Sequence, residues 1–177
     1  MRHASAEEGP GRLPMLDAHL MRSWQWKSFQ ALSLDELYDV LALRQEVFVV
    51  EQRSIYQDVD GYDRGAEHLL LYTEPRGARL LAAYLRVLPP GLKYPQASSL
   101  GRVVTSPRAR AQGLGRELVA QGIARLDSLY PEAPIHIGAQ HYLQRFYEGF
   151  GFQARGDVYD EDGIPHIDMV RPARGPR

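Results

Sequence analysis

The sequence predicts one mixed α/β domain of the α+β type. A length of 177 residues is enough for a single domain with a sizeable core. Hydrophobic residues make up 44% and charged residues 24%, as in ordinary globular proteins. Candidate strands cluster early and late in the chain instead of alternating regularly with helices, which argues against a parallel βαβ sheet. We find no internal repeat and no linker.

The first third of the chain predicts a strand, a helix and a long loop. Apolar and polar residues alternate sufficiently from Trp24 to Phe29 for a strand. Ser33 and Glu36 have the spacing of a capping box, so a helix begins here. Its apolar stripe consists of Leu34, Leu37, Tyr38 and Leu41. Residues 52–66 are rich in Asp, Gly and Tyr and predict an irregular loop long enough to be functional.

Six more strands and two more helices follow. The predicted strands cover residues 68–73, 79–88, 99–105, 133–140, 152–159 and 166–170, with turns at 75–77 and 160–163. A long helix runs from about Leu114 to Leu129, with an apolar face at Leu114, Leu118, Gly122 and Leu126. A short helix has its apolar face at Leu143, Phe146, Tyr147 and Phe150, and Gly151 is placed to end it.

The turn from Arg110 to Gly115 connects an apolar strand to the long helix. The first amides of a helix lack internal acceptors, and the helix dipole favours negative charge there. Gly113 and Gly115 let a phosphate approach the backbone closely, while Arg110 and Arg116 add positive charge. The turn therefore predicts a site for a phosphorylated cofactor, with an ordinary solvated loop as the alternative. It has neither the P-loop spacing nor the third glycine of a dinucleotide fingerprint.

The Arg-x-x-Gly-x-Gly turn after a strand resembles the pyrophosphate signature of the GNAT acetyltransferases. Gln140 at the end of a strand, followed by Phe146-Tyr147, three residues and a Gly-Phe pair, resembles the last motif of that family. Segments 44–52, 56–61, 138–140, 143–144 and 161–167 resemble its ElaA-type branch, and the last of these, Glu-Asp-Gly-Ile-Pro-His-Ile, is the most specific. The resemblance covers roughly residues 24–171. Ser54 departs from the branch pattern, which tends to have cysteine there.

The resemblance implies the GNAT acyl-CoA N-acyltransferase fold, a central mixed but mostly antiparallel sheet of about seven strands flanked by about four helices. It implies one domain over residues 23–172, with tails at 1–22 and 173–177. The implied reaction moves an acetyl group from acetyl-CoA to a primary amine of a small molecule or peptide, by direct attack in a ternary complex. Without cysteine, an acyl-cysteine intermediate is excluded.

Site residues also follow from the resemblance. Tyr147 would protonate the leaving sulfur, and the backbone of the fourth strand would polarise the thioester and pair with the pantetheine arm. The implied coenzyme-binding residues are Val103, Val104, Thr105, Arg110, Gln112, Gly113, Leu114, Gly115, Arg116, Gln140 and Tyr147. The general base stays open between Glu51, His68, His166 and water, since histidine titrates near neutrality and suits the task.

Other functions stay open at this point. A non-catalytic acyl-CoA sensor or interaction module is the alternative, and a nucleotide-binding regulator is a weaker one. Arg86 and Arg102 either receive a substrate carboxylate or, as we favour, pair with acids of the 52–66 loop. Asp58, Asp60 and Asp63 of that loop would instead suit a cationic amine, so the acceptor is undecided.

The composition narrows the possible partners. The net charge of −1 offers no global attraction for nucleic acid or an anionic membrane. No metal-ligand spacing is persuasive, and the Asp58–Asp63 segment lacks the EF-hand order. No secretory signal or membrane span is evident, which favours the cytoplasm. Exposed edge strands make a homodimer plausible.

Overall fold

The computed structural model describes residues 23–74 and 77–175. Their strands are β1 (Ser23–Ser28), β2 (Glu67–Thr73), β3 (Leu80–Leu88), β4 (Ser99–Thr105), β5 (Ile135–Gln140), β6 (Gln153–Glu161) and β7 (Ile164–Arg171). Their α-helices are α1 (Leu34–Arg44), α2 (Leu114–Leu129) and α3 (Gln144–Glu148). The mixed fold with seven strands is confirmed. The predicted tail at 1–22, turn residues 75–76 and the last two residues lie outside the described part of the chain.

The helical part differs in one detail from the prediction of about four helices. α1 continues without a break into a π-helical segment, Gln45–Glu51, so the described residues contain three α-helices. The predicted apolar stripe of α1 is wrong at Leu34 and Tyr38, which are exposed. The start of α1 follows the capping-box prediction. Ser33 Oγ accepts from the Glu36 amide at 3.1 Å, and Glu36 Oε2 accepts from the Ser33 amide at 2.9 Å. No helix in residues 23–74 and 77–175 is long and apolar enough to cross a membrane.

The strands form two antiparallel sheets in the orders β1-β2-β3-β4 and β5-β7-β6. Among the described residues, one parallel bridge, between Ser98 and Ile135, joins them. There the Ser98 amide donates to the Pro134 carbonyl at 3.0 Å, and the His136 amide donates to the Ser98 carbonyl at 2.9 Å. Past this bridge, no further pairing joins β4 to β5 within the described residues. The two strands therefore diverge and leave a gap between their facing edges.

Helices cover both faces of the first sheet. α2 packs on β3 and β4, where a Cβ on Gly122 would lie 2.9 Å from Leu85 Cδ2, so glycine allows this close approach. On the opposite face, Val40 and Leu43 of α1 join a second apolar cluster with Leu70 of β2. Because both faces are covered, β2 and β3 are almost continuously buried. This rigid layer fixes the direction of β4 and hence one wall of the gap.

Candidate active site

The gap between β4 and β5 is a cleft of about 250 Å³. Backbone and side chains of both strands form its walls, and α3 and the 52–66 loop contribute to its ends. The residues that line it include Val103, Val104, Thr105, Arg110, Gly138, Gln140, Tyr147, Glu161 and His166. Six of the predicted coenzyme residues therefore lie around one cavity. The facing edges of β4 and β5 offer unpaired amides and carbonyls to an extended ligand.

A β-bulge shapes the β4 wall. The register between β3 and β4 shifts between Tyr84 and Arg86, opposite Arg102 and Val103. Arg102 has a φ of +53°, which non-glycine residues rarely adopt. The bulge bends β4 away from a regular ladder at the height of the cleft. It thereby changes the direction in which the backbone of Val103 and Val104 faces β5.

The start of α2 is open to a ligand. Gly113 occupies the N-cap position with a φ of +71°, where a side chain would be strained. A Cβ on Gly113 or Gly115 would meet nothing within 4 Å, so free space lies over the first amides of α2. Leu114 is buried and can contribute only through its backbone. Gln112 is exposed beside this turn.

The two arginines of this turn have different neighbours. Arg110 lines the cleft and pairs with Glu51 at 2.8 Å, and both side chains are more than 40% exposed. The guanidinium of Arg116 instead lies over the rings of Phe146 and Phe150, 6.0 Å and 5.1 Å from their centroids, and ties the first turn of α2 to α3 and the residues that follow it. Arg110 is thus the arginine of the pair that faces the cavity.

Tyr147 is held at the end of the cleft by the way α3 ends. The Phe152 amide donates to the Tyr147 carbonyl at 3.3 Å, and the Gly151 amide donates to the Glu148 carbonyl at 2.9 Å. Gly151 has a φ of +86°, which completes a Schellman motif and matches its predicted role. Burial raises the pKa of the Tyr147 hydroxyl, so it carries its proton at neutral pH.

A partly buried ionic network lies behind the β4 bulge. It combines three arginines with three aspartates of the 52–66 loop: Arg44, Arg86, Arg102, Asp58, Asp60 and Asp63. Asp63 accepts from Arg44 at 2.9 Å and from Arg86 at 2.6 Å. The predicted pairing of Arg86 and Arg102 with loop acids is confirmed. Three positive charges face three negative ones in this network. Arg86 and Arg102 are therefore both engaged with loop acids and are not available to a substrate carboxylate.

Polar contacts fasten the 52–66 loop over the cleft. Gln140 at the end of β5 donates to Gln52 at 3.1 Å, and Ser54 donates to the Asp162 carbonyl at 2.9 Å. Tyr56 lines the cleft, where burial raises its pKa to about 12. A serine at position 54 keeps a hydrogen bond to the β6–β7 turn where the family pattern has a thiol.

The three candidate bases occupy different environments. His68 is buried, with Nδ1 2.8 Å from the Tyr84 hydroxyl and Nε2 3.0 Å from the Asp63 carbonyl. Glu51 is exposed and paired with Arg110. His166 on β7 lines the cleft, in register with Gln140. The structure therefore brings one of the three into the cavity that Tyr147 lines.

Comparisons with known proteins agree with this geometry. A model of the acetyltransferase (GNAT) domain matches residues 79–172. The chain belongs to the GNAT acetyltransferase family. It is 43% identical over 148 residues to a UPF0039 protein of Synechocystis, covering 84% of this chain and 94% of the relative.

Two solved structures resemble this GNAT chain closely. One is an acyl-CoA N-acyltransferase from Pseudomonas aeruginosa, with a TM-score of 0.78 and 42% identity over 85% of this chain and 99% of that one. The other is Escherichia coli ElaA, with a TM-score of 0.77, 38% identity and the same coverage. Family membership supports acyl transfer from an acyl-CoA.

Sequence reasoning missed several residues of this GNAT cleft. Gln52, Phe48 and Tyr142 line it, but none has a spacing that marks it. Arg44 anchors the ionic network from the end of α1 and is 1% exposed. A signal for Arg44 was present, because it follows the apolar position Val40 by one helical turn and so lies on the buried face.

Proposed function

We propose that this protein is an N-acetyltransferase that moves an acetyl group from acetyl-CoA to a primary amine of a small molecule or peptide. The observation that carries the proposal is the cleft between the diverging β4 and β5, with Tyr147 on its lining and the open start of α2 beside Arg110. Such a cavity fits an extended thioester arm attached to a pyrophosphate. Direct attack in a ternary complex fits the absence of cysteine from the sequence.

Residues of the chain meet the needs of donor binding. Amides at the start of α2 can hold phosphate oxygens, assisted by the helix dipole and the Arg110 charge. The open space over Gly113 and Gly115 leaves room for the phosphates. The unpaired edge of β4 can bond the pantetheine arm as an added strand, and its amides from Val103 to Thr105 can stabilise charge on the thioester oxygen.

Two proton transfers complete the reaction. A nitrogen–carbon bond forms as the carbon–sulfur bond breaks, so the nitrogen must lose a proton and the sulfur must gain one. Tyr147 is the proposed donor to sulfur, because its raised pKa keeps the hydroxyl protonated until a stronger base develops beside it. The acceptor amine would enter from the side of the cleft that the 52–66 loop and the β6–β7 turn cover.

Calorimetric titration of CoA and acetyl-CoA tests the donor half. The wild type should bind both, and a Gly113→Asp, Gly115→Asp double variant should lose binding, because two carboxylates would fill and repel the phosphate site. A Gly156→Asp, Gly175→Asp variant adds the same charge at open glycines elsewhere and should bind normally. A folded wild type that binds neither ligand would refute the proposal.

Turnover separates the enzyme from the alternative, a non-catalytic acyl-CoA sensor. Release of free thiol is followed with a panel of primary amines and amino-terminal peptides, and the amide product is verified by mass. Acetylation of any amine supports the enzyme. Tight binding of acetyl-CoA without acetylation across a broad panel would favour the sensor.

A further inference from the structure

We infer that His166 is the general base that takes the proton from the attacking amine. The inference rests on the proposed acetyltransferase function and deepens it. Among the histidines and the glutamate that the sequence left open, His166 lines the same cavity as Tyr147. It enters that cavity from β7, next to the β6–β7 turn, while Tyr147 enters from α3.

The tautomer of His166 follows from one hydrogen bond. Its Nδ1 lies 2.8 Å from the backbone carbonyl of Ile164, two residues earlier. A carbonyl only accepts, so Nδ1 carries the hydrogen, and the neutral ring keeps its lone pair on Nε2. The hairpin that builds this contact is tight, since Asp162 and Gly163 both have positive φ, at +55° and +83°. The turn therefore fixes a ring whose Nε2 is basic.

Acidic, aromatic and amide groups surround His166. Glu161 on β6 places Oε2 4.0 Å from Nδ1, at the outer limit of an ion pair. The Tyr159 ring on β6 stacks at 6.1 Å from the imidazole. Opposite on β5 stands the uncharged Gln140, and the nearest acid on its own strand is Asp168. The carboxylate of Glu161 also interacts electrostatically with Lys93.

The other two side-chain candidates are poorly placed. Both ring nitrogens of His68 are engaged, with the Tyr84 hydroxyl and the Asp63 carbonyl, and burial lowers its pKa. It lies on β2, is 1% exposed, and does not line the cavity. Glu51 shares its charge with Arg110 and stands outside the lining. Neither can reach an amine in the cleft without breaking a bond that the fold provides.

The step balances with the groups named. His166 Nε2 takes one proton from the amine as the nitrogen–carbon bond forms. The carbon–sulfur bond breaks, and the thiolate takes the Tyr147 proton. His166 then releases its proton to water, and Tyr147 regains one from water. The net change converts a neutral amine and acetyl-CoA into an amide and CoA with a free thiol, with no net release of protons.

The test compares His166→Gln with His141→Gln, a matched loss of an exposed histidine outside the cleft lining. Both are assayed with acetyl-CoA and the best amine of the panel across pH. In His166→Gln, kcat should fall about 100-fold with KM for acetyl-CoA unchanged. The acid limb of the pH profile should flatten, and added imidazole should restore part of the rate. His141→Gln should match the wild type.

A kcat and pH profile for His166→Gln like those of the wild type would overturn the inference and leave the acetyltransferase proposal standing. A folded wild type that binds acetyl-CoA but acetylates no amine would overturn both. Nitrogen-15 NMR of the imidazoles supplies a readout that needs no substrate. At pH 8 it should show that Nδ1 of His166 carries the hydrogen and that Nε2 is unprotonated. The reverse tautomer would also overturn the assignment.

Discussion

The backbone carbonyl of Tyr147 accepts the amide of Phe152 at 3.3 Å, while the two rings meet edge to face with their centroids 5.7 Å apart. One helix ending thus fixes both the main chain and the side chain of the proposed proton donor. An apolar contact between these two positions commonly accompanies a Schellman motif. The position of the Tyr147 hydroxyl consequently depends on Gly151, the residue that reverses the chain between the two rings.

Replacing Gly151 with alanine should destabilise the protein. At a φ of +86° the new Cβ would be strained, at a cost of about 1–2 kcal/mol in the free energy of unfolding. The space itself is available, because the nearest atom to an added Cβ is 3.9 Å away. Urea unfolding measures the change, and kcat should fall as Tyr147 loses its position. Gly115→Ala, in α2 with open space and without positive φ, serves as the control for stability only, because Gly115 belongs to the proposed coenzyme site. Equal stability of both variants would contradict the helix-end argument.

Removing only the hydroxyl of Tyr147 tests its chemical role. Tyr147→Phe keeps the ring contacts with Phe146 and Phe152, so stability should hold or rise slightly. We expect kcat to fall about 100-fold, the usual scale for loss of a general acid, with unchanged affinity for acetyl-CoA. Steady-state kinetics and calorimetry on the same preparation measure both. An undiminished kcat would show that sulfur takes its proton from elsewhere.

Local parts of the fold could be predicted from the sequence. The 3.6-residue spacing of apolar residues predicted α2 with its observed bounds, Leu114–Leu129. The capping box predicted the start of α1, and Gly151 predicted the end of the short helix. Both signals act over a few neighbouring residues. The separation of β4 from β5 has no such signal. It depends on the bulge at Arg102 and on one bridge at Ser98, which are products of tertiary packing.

Contacts across the cleft could not be predicted from sequence patterns either. Ser54 meets the carbonyl of Asp162, 108 positions later, and Arg110 meets Glu51, 59 positions earlier. No periodicity connects residues at such distances. Pairing of Arg86 with loop acids was predictable only in kind, because a buried charge requires a partner without specifying which one.

Glu51→Gln should tighten coenzyme binding. Arg110 is shared between Glu51 and the cleft, and removal of the carboxylate frees its charge for phosphate. Because the pair is exposed, the gain should be no more than about fivefold in Kd. Calorimetry at two salt concentrations measures it, with Arg110→Gln as the opposite change, which should weaken binding. Weaker binding by Glu51→Gln would mean that the pair holds Arg110 in its productive position.

Asp63→Asn should be among the most destabilising substitutions in the chain. Although burial opposes it, the charges of Arg86 and Arg44 lower the pKa of Asp63, so the carboxylate is ionised in the fold. Neutralising it leaves two buried arginines short of one negative charge, at a cost of about 3–5 kcal/mol. Asp157→Asn removes an exposed carboxylate and should change stability by less than about 0.5 kcal/mol. Urea unfolding compares the two, and similar values would show that the network contributes little.

His68 should make the stability of the protein depend on pH below neutrality. Burial lowers its pKa in the folded state from the ordinary 6.5. Below about pH 6.5 the unfolded chain gains a proton that the folded state excludes. The free energy of unfolding should therefore decrease as the pH is lowered below about 6.5, by at most about 1.4 kcal/mol per pH unit.

Acids in the network act in a different pH range, which makes the histidine contribution measurable. Despite burial, the hydrogen bond and charge of Arg86 lower the pKa of Asp60 from 3.8 to about 2, so its contribution is lost only as pH falls below 3.8. Unfolding at pH 7.5 and 5.5 thus reports chiefly on histidines. His68→Gln can still donate to the Asp63 carbonyl, and it should show a smaller difference between the two pH values than the wild type. The same difference in both proteins would mean that His68 accepts a proton without leaving its buried position.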